Sequence, residues 1–174
     1  MSLKKMAAFF DDMSEIYDEH MLCTNKMEDF YAIIAELVRP SRPDFRLLDL
    51  GCGTGLELER LFVRYPDMRV TGIDLSPGML ELLRAKFPGK RMEIICGSYF
   101  DADFGAGFDT ALSTKSLHHF GEGEKRGLYA KIRAALKPGG LFILGDNTVQ
   151  SQERQDELMR ENAALRRENG IPDG

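Results

Sequence analysis

The chain has 174 residues, 43% hydrophobic and 29% charged, with net charge −5; this is one globular domain with enough apolar material for a core, and its negative balance argues against non-specific nucleic-acid binding. No apolar run approaches the ~18 residues of a membrane span, and the amino end lacks the apolar segment of a signal peptide. Cys23, Cys52 and Cys96 follow no metal-type spacing and read as reduced thiols of a cytoplasmic protein.

Met6, Phe9, Phe10, Met13, Ile16, Tyr17 and Met21 recur at helical spacing, as do Met27, Phe30, Tyr31, Ile34, Leu37 and Val38. Two amphipathic helices are therefore predicted, with Asn25 and Glu28 between them as a capping box, and Pro40 and Pro43 marking a linker.

Residues 46–61, R-L-L-D-L-G-C-G-T-G-L-E-L-E-R-L, read as strand, tight turn and helix. Gly51, Gly53 and Gly55 free the backbone to bend sharply and to approach a ligand at the carboxyl end of the strand. The spacing is G-x-G-x-G followed by Leu56, not the G-x-G-x-x-G of a dinucleotide site, and Glu57 and Glu59 at the helix start would repel a phosphate. A second apolar run, 70–76, carries Asp74 about 20 residues past the glycines. A carboxylate there can accept both hydroxyls of a ribose, or it can simply cap a turn.

Ser76-Pro77 is an N-cap followed by proline at the first helical position. Met79, Leu80, Leu82, Leu83 and Phe87 give that helix its buried stripe, and Pro88-Gly89 stops it. A third strand falls at 92–96 and a fourth at 108–114. The eleven residues between them can reach about 36 Å extended against a crossing on the order of 22 Å, which leaves no room for a full helix. After the fourth strand comes S-T-K-S-L-H-H-F, where a histidine could act as general base toward a hydroxyl or thiol. Asp101 and Asp103 show no metal-binding spacing. A helix over 124–136, a Lys137-Pro138-Gly139-Gly140 stop, a fifth strand over 141–145 and a charged helix over 151–169 complete the pattern.

Residues 47–55, 70–76 and 136–144 together resemble the ordered motifs of class I S-adenosylmethionine-dependent methyltransferases. The resemblance implies an α/β, Rossmann-like parallel sheet in order 3-2-1-4-5 with helices on both faces, and a nucleoside-plus-methionine cofactor across the carboxyl ends of strands 1 and 2. It divides the single domain into a helical lid (1–43), a cofactor-binding core (44–150) and a carboxy-terminal helix (151–174). It implies that Asp49 holds the cationic part of S-adenosylmethionine and Asp74 the ribose, while Gly51, Cys52, Gly53 and Gly55 let the methionine lie along the backbone. Leu75 and Met79 would border the adenine. Ser98 stands where the family often has an acid for the adenine amino group, beside Tyr99. Tyr17 from the lid, with Ser113 and Thr114, would approach the methionine, and Lys115, His118 and His119 would lie toward the acceptor. The product would be S-adenosylhomocysteine and the acceptor a small molecule. The family's last two strands have no counterpart here, so the expectation is either a truncated chain or a second copy covering the edge of strand 5. Two other functions stay open: a cofactor-binding module that turns nothing over, and a nicotinamide-dependent oxidoreductase.

Overall fold

The structure, a computed structural model, describes residues 2–147 together with 151, 153, 154, 156, 157, 160 and 161. Five parallel strands form one sheet in the order β3-β2-β1-β4-β5, namely β1 Arg46–Leu50, β2 Arg69–Asp74, β3 Met92–Cys96, β4 Phe108–Thr114 and β5 Leu136–Gly145. The order is the one the motifs imply, and among the described residues the sheet ends at β5. The helices are α1 Leu3–Glu19, α2 Glu28–Leu37, α3 Leu56–Arg64, α4 Pro77–Lys86 and α5 Glu122–Ala135.

β1 is nearly continuous in apolar residues because it lies at the centre of the sheet, covered on both faces. Leu47 joins one core layer with Val38 before the strand, Leu58 and Leu61 of α3, and Leu80 and Leu83 of α4. Leu48 and Leu50 join the other, with Phe108, Leu128 and Ile132. Ser76 caps α4 as its sequence foretells, its hydroxyl accepting from the Met79 N–H at 3.1 Å.

Two local expectations are corrected. No capping box opens α2: Met27 precedes the helix with no side-chain cap, and the Asn25 amide instead turns back to the Met21 sulfur at 3.5 Å. The cause lies upstream, where α1 runs on into a wider π-turn, His20–Thr24, closed by the Asn25 N–H on the His20 carbonyl at 3.0 Å. Nor does Lys137-Pro138-Gly139-Gly140 separate helix from strand. β5 starts at Leu136, pairs there with Phe108, and then slips so that Leu141 pairs with Thr110; Gly139 takes φ +78° inside the bulge.

The 97–107 crossover contains no helix. Lys131 of α5 holds it, its ammonium donating to the carbonyls of Tyr99 (3.1 Å), Phe100 (3.1 Å) and Ala102 (2.5 Å). Within the predicted 151–169 helix, residues 153, 154, 156, 157, 160 and 161 are helical; its other residues past 151 lie outside the described ones. Among the described residues no helix is long and apolar enough to cross a membrane.

Candidate active site

The glycine turn folds over the tip of β2. The N–H groups of Gly51 and Cys52 both donate to the Ile73 carbonyl, at 2.8 and 3.2 Å. Asp74, the next residue, is held from two sides: one carboxylate oxygen accepts the Gly53 N–H at 2.9 Å and the other the Ser76 N–H at 2.9 Å. It therefore caps the turn and also borders the cleft above it. Its carboxyl group is raised by burial, against which the backbone N–H groups pull it down.

That cleft is bounded by Gly51 and Gly53 below, Leu75 and Met79 along one side, and Tyr99, Thr114, Lys115 and Ser116 along the other. Met6, Phe10 and Tyr17 of α1 form its roof. Gly51 has φ +78°, and a Cβ there would lie 2.3 Å from the Ser116 hydroxyl, so no larger residue fits. Gly53 has φ +46°, yet a Cβ on it would meet nothing within 4 Å. Burial raises the Tyr17 phenol, helped by the charges of Glu57 and Asp74.

Several expected residues lie elsewhere. Asp49 is fully buried beneath the turn, facing Glu57. Cys52 packs its sulfur under Gly72, where a Cβ would come within 2.9 Å. Gly55 opens α3 in a left-handed conformation, and its missing side chain makes room for the Phe87 ring, 2.9 Å from where a Cβ would be. Ser98 uses its hydroxyl to accept the Phe100 N–H at 3.2 Å, and Ser113 donates to the Leu50 carbonyl at 2.9 Å.

The sequence motifs do not place Met6, Phe10, Ser116 or Glu57 at the site. For Glu57 a signal exists: it falls on the inward stripe of α3 with Leu58, Leu61 and Phe62, and it is buried with them. The helix start that would have faced a pyrophosphate is thus closed by a buried acid.

Past Lys115, which has a strained φ of +51°, a second cavity of about 220 Å³ opens between Phe9, Met13, His20 and His118, sharing Phe10, Tyr17, Lys115 and His119 with the first. Asp146, just after β5, accepts the His118 N–H at 2.8 Å and sits 2.5 Å from the His118 Nδ1. His119 lies between His118 and Phe10, its ring centroid 4.0 and 5.7 Å from theirs. Partial burial and the neighbouring imidazole push its pKa down to about 4. Among the described residues no three possible ligands gather as a metal site.

The chemistry of the site suits a neutral nucleoside with a cationic end. Asp74 keeps lone pairs for ribose hydroxyls, Gly53 leaves its face open, and both Asp49 oxygens lack any donor. The volume of the first cavity is about 50 Å³, with Met6, Phe10 and Tyr17 of α1 among the residues that line it, below the several hundred typical of ligand pockets.

Comparisons with known proteins agree. The model of a family described as "Methyltransferase domain" matches residues 47–140, more than half the chain. A malonyl-[acyl-carrier protein] O-methyltransferase of Acetivibrio thermocellus is 30% identical over 139 residues, 80% of this chain and 48% of that protein. A trans-aconitate 2-methyltransferase of Paracidovorax citrulli is 37% identical over 120 residues, 68% of this chain and 44% of that one. The chain thus spans about half the length of these curated relatives. Among solved structures, S-adenosylmethionine-bound CalS10, an amino pentose methyltransferase from Micromonospora echinaspora, superposes with a TM-score of 0.59 at 36% identity, over 70% of this chain and 51% of that one. With its strand order, its glycine turn and this match over residues 47–140, the chain belongs to the class I S-adenosylmethionine-dependent methyltransferase family.

Proposed function

We propose that this chain binds S-adenosylmethionine and transfers its methyl group to a small-molecule acceptor, releasing S-adenosylhomocysteine. The observation that carries the proposal is Asp74, pinned by two backbone N–H groups at the tip of β2 and bordering a cleft floored by Gly51 and Gly53. Asp74 takes the ribose hydroxyls, Met79 and Leu75 flank the base, and the glycine backbone takes the methionine. The bound cofactor supplies a sulfonium-activated methyl with its own leaving group. The protein's task is then to align the displacement and keep the site dry, and alignment alone is worth about 7–11 kcal/mol.

Residues 1–43 act as the lid and 44–150 as the cofactor-binding core. Closure of α1 is fixed by two aspartates: Asp11 accepts from the Ser76 hydroxyl (2.9 Å) and the Gly78 N–H (2.7 Å), while Asp18 pairs with Lys86 and Thr54. The acceptor occupies the second cavity, and His118, oriented by Asp146, takes its proton where the acceptor atom carries one.

Isothermal calorimetry tests the core of this. Wild type is expected to bind S-adenosylmethionine, and Asp74→Ala to bind it at least about tenfold more weakly, the loss of roughly one charged hydrogen-bonded contact. Absence of heat and of any thermal shift with wild type rules the function out. Methyl transfer into a panel of carboxylate, amine, hydroxyl and thiol acceptors separates an enzyme from a module that only binds.

A further inference from the structure

Beneath the glycine turn lie two carboxyl groups with no counter-charge of their own. Asp49, on β1, faces the first turn of α3, and Glu57 faces it from there; both are buried, with relative exposures of 0% and 3%. Thr114, which borders the cleft, donates its hydroxyl to one Glu57 oxygen at 3.2 Å. The other Glu57 oxygen and both Asp49 oxygens meet no donor. Among the described residues, the groups found to act on the pair from the surrounding elements are neutral or acidic, apart from Lys86. These are Tyr17 from α1, Tyr31 from α2, Cys52 from the turn, Asp74 from β2 and Thr114 from β4. The exception, Lys86 of α4, is already held by Asp18 at 2.5 Å and Glu59 at 2.8 Å.

Two adjacent carboxylates cannot both stay ionised in such a place, because burial and mutual repulsion both oppose it. A purely structural acid pair would bring its own donors; this one leaves three oxygens without any.

We propose that Asp49 and Glu57 share a single proton in the free protein, and that a ligand with a cationic amino-acid end displaces it, making Glu57 part of what recognises that end. The inference rests on the adenosyl cofactor reading. The step balances simply: one carboxyl O–H bond breaks, its proton leaves to the buffer, and the ligand's ammonium takes its place beside two carboxylates. Burial raises both groups above the ordinary carboxylate range; the Glu57 carboxylate raises Asp49 further, while hydrogen bonds from Asp49 and Thr114 draw Glu57 partly back. Thr114 couples the pair to the cleft. Affinity for such a ligand then rises with pH, by up to about tenfold per pH unit while the pair still holds its proton, until the ligand's own α-amino group begins to lose charge near about 7.7–8.0.

The test is calorimetry at about pH 6.5, where the α-amino group stays charged, in two buffers of different ionisation enthalpy. S-adenosylhomocysteine, which cannot react, is compared with 5′-methylthioadenosine, the same nucleoside without the amino-acid end. Wild type is expected to release about one proton per S-adenosylhomocysteine and close to none with 5′-methylthioadenosine. Glu57→Gln is expected to bind S-adenosylhomocysteine with little or no release, because the carboxamide N–H permanently replaces the shared proton and leaves Asp49 an anion. If that variant does not fold, the comparison of two ligands on wild type decides alone. Release that is absent with S-adenosylhomocysteine, or equal for both ligands, or retained in Glu57→Gln overturns the inference while leaving cofactor binding intact. A wild type that binds neither compound overturns the cofactor reading and this inference with it.

Discussion

Asp146 holds His118 twice, through the backbone N–H at 2.8 Å and through the imidazole Nδ1 at 2.5 Å. The carboxylate side chain is only 5% exposed, and the imidazole it grips pulls it below the usual carboxylate range even though burial opposes this. An imidazole with its Nδ1 proton committed to a carboxylate carries its free lone pair on Nε2. That is the arrangement of a positioned base. His118 also lines the second cavity, with Lys115 and His119.

Asp146→Asn is therefore expected to lower kcat toward a protic acceptor by about a hundredfold, in the range of a general base that loses its orientation, and to leave S-adenosylhomocysteine affinity within about twofold. Steady-state kinetics and calorimetry on the same preparation check it. An unchanged kcat removes His118 from the chemistry.

Nothing near His118 in the chain announced Asp146, which lies 28 positions away and meets it only because β4 and β5 are neighbours. The sheet itself was far more legible. Doubly covered strands leave uninterrupted apolar runs such as Leu47–Leu48, and glycine and proline punctuate them. The failures were local competitions. Asn25 has the composition of a cap, but the π-turn behind it used its N–H and moved the helix start. Lys137-Pro138-Gly139-Gly140 has the composition of a stop, but strand pairing with Phe108 continued through it as a bulge. At the site, Ser116 against Gly51 was placed by long-range packing that local motifs did not expose, whereas the burial of Glu57 followed the inward stripe of α3.

Few side-chain hydrogen bonds tie α1 to α4 and the glycine turn. Asp11 alone accepts two, from the Ser76 hydroxyl and the Gly78 N–H at the start of α4, while Phe9 and Ile16 remain exposed at 51% and 54%. Asp11→Ala is expected to speed amide hydrogen exchange across Leu3–Glu19 by about tenfold, the loss of roughly 1–1.5 kcal/mol of hydrogen bonding, and to leave exchange in β1 and β4 unchanged. Saturation with S-adenosylmethionine is expected to slow exchange in α1. Exchange in α1 that is indifferent to both changes excludes a lid role.

His119 provides a pH prediction. With a pKa of about 4 in the folded protein against an ordinary 6.5, it binds a proton in the unfolded chain but not in the folded one between those two values. Its contribution to stability is thus complete above the unfolded value and is lost as pH falls toward the folded one. His119 is exposed to solvent, which screens the effect and keeps it small. Proton NMR should show the His119 ring signal unmoved from pH 8 down to about 5. His119→Gln should flatten the decline in thermal midpoint across the same window. A ring that titrates near its ordinary value would mean that Phe10 and His118 do not enclose it in solution.

Gly51 and Gly53 separate a tight turn from a ligand cradle. Both have positive φ, so alanine at either is strained by about 1–3 kcal/mol. Only at Gly51 would the new methyl also strike protein, 2.3 Å from the Ser116 hydroxyl and 2.6 Å from its Cβ. At Gly53 it would project into open space at the floor of the cleft. Gly51→Ala is accordingly expected to lower both thermal midpoint and cofactor affinity, with Ser116→Gly restoring part of the stability. Gly53→Ala is expected to show the milder thermal loss yet to weaken S-adenosylmethionine binding by at least about tenfold, because the cofactor would have to share its space with the methyl. Thermal unfolding with and without ligand reads both quantities at once. If Gly53→Ala bound as tightly as wild type, the turn would be a structural bend alone, and the ligand would have to lie somewhere other than against it.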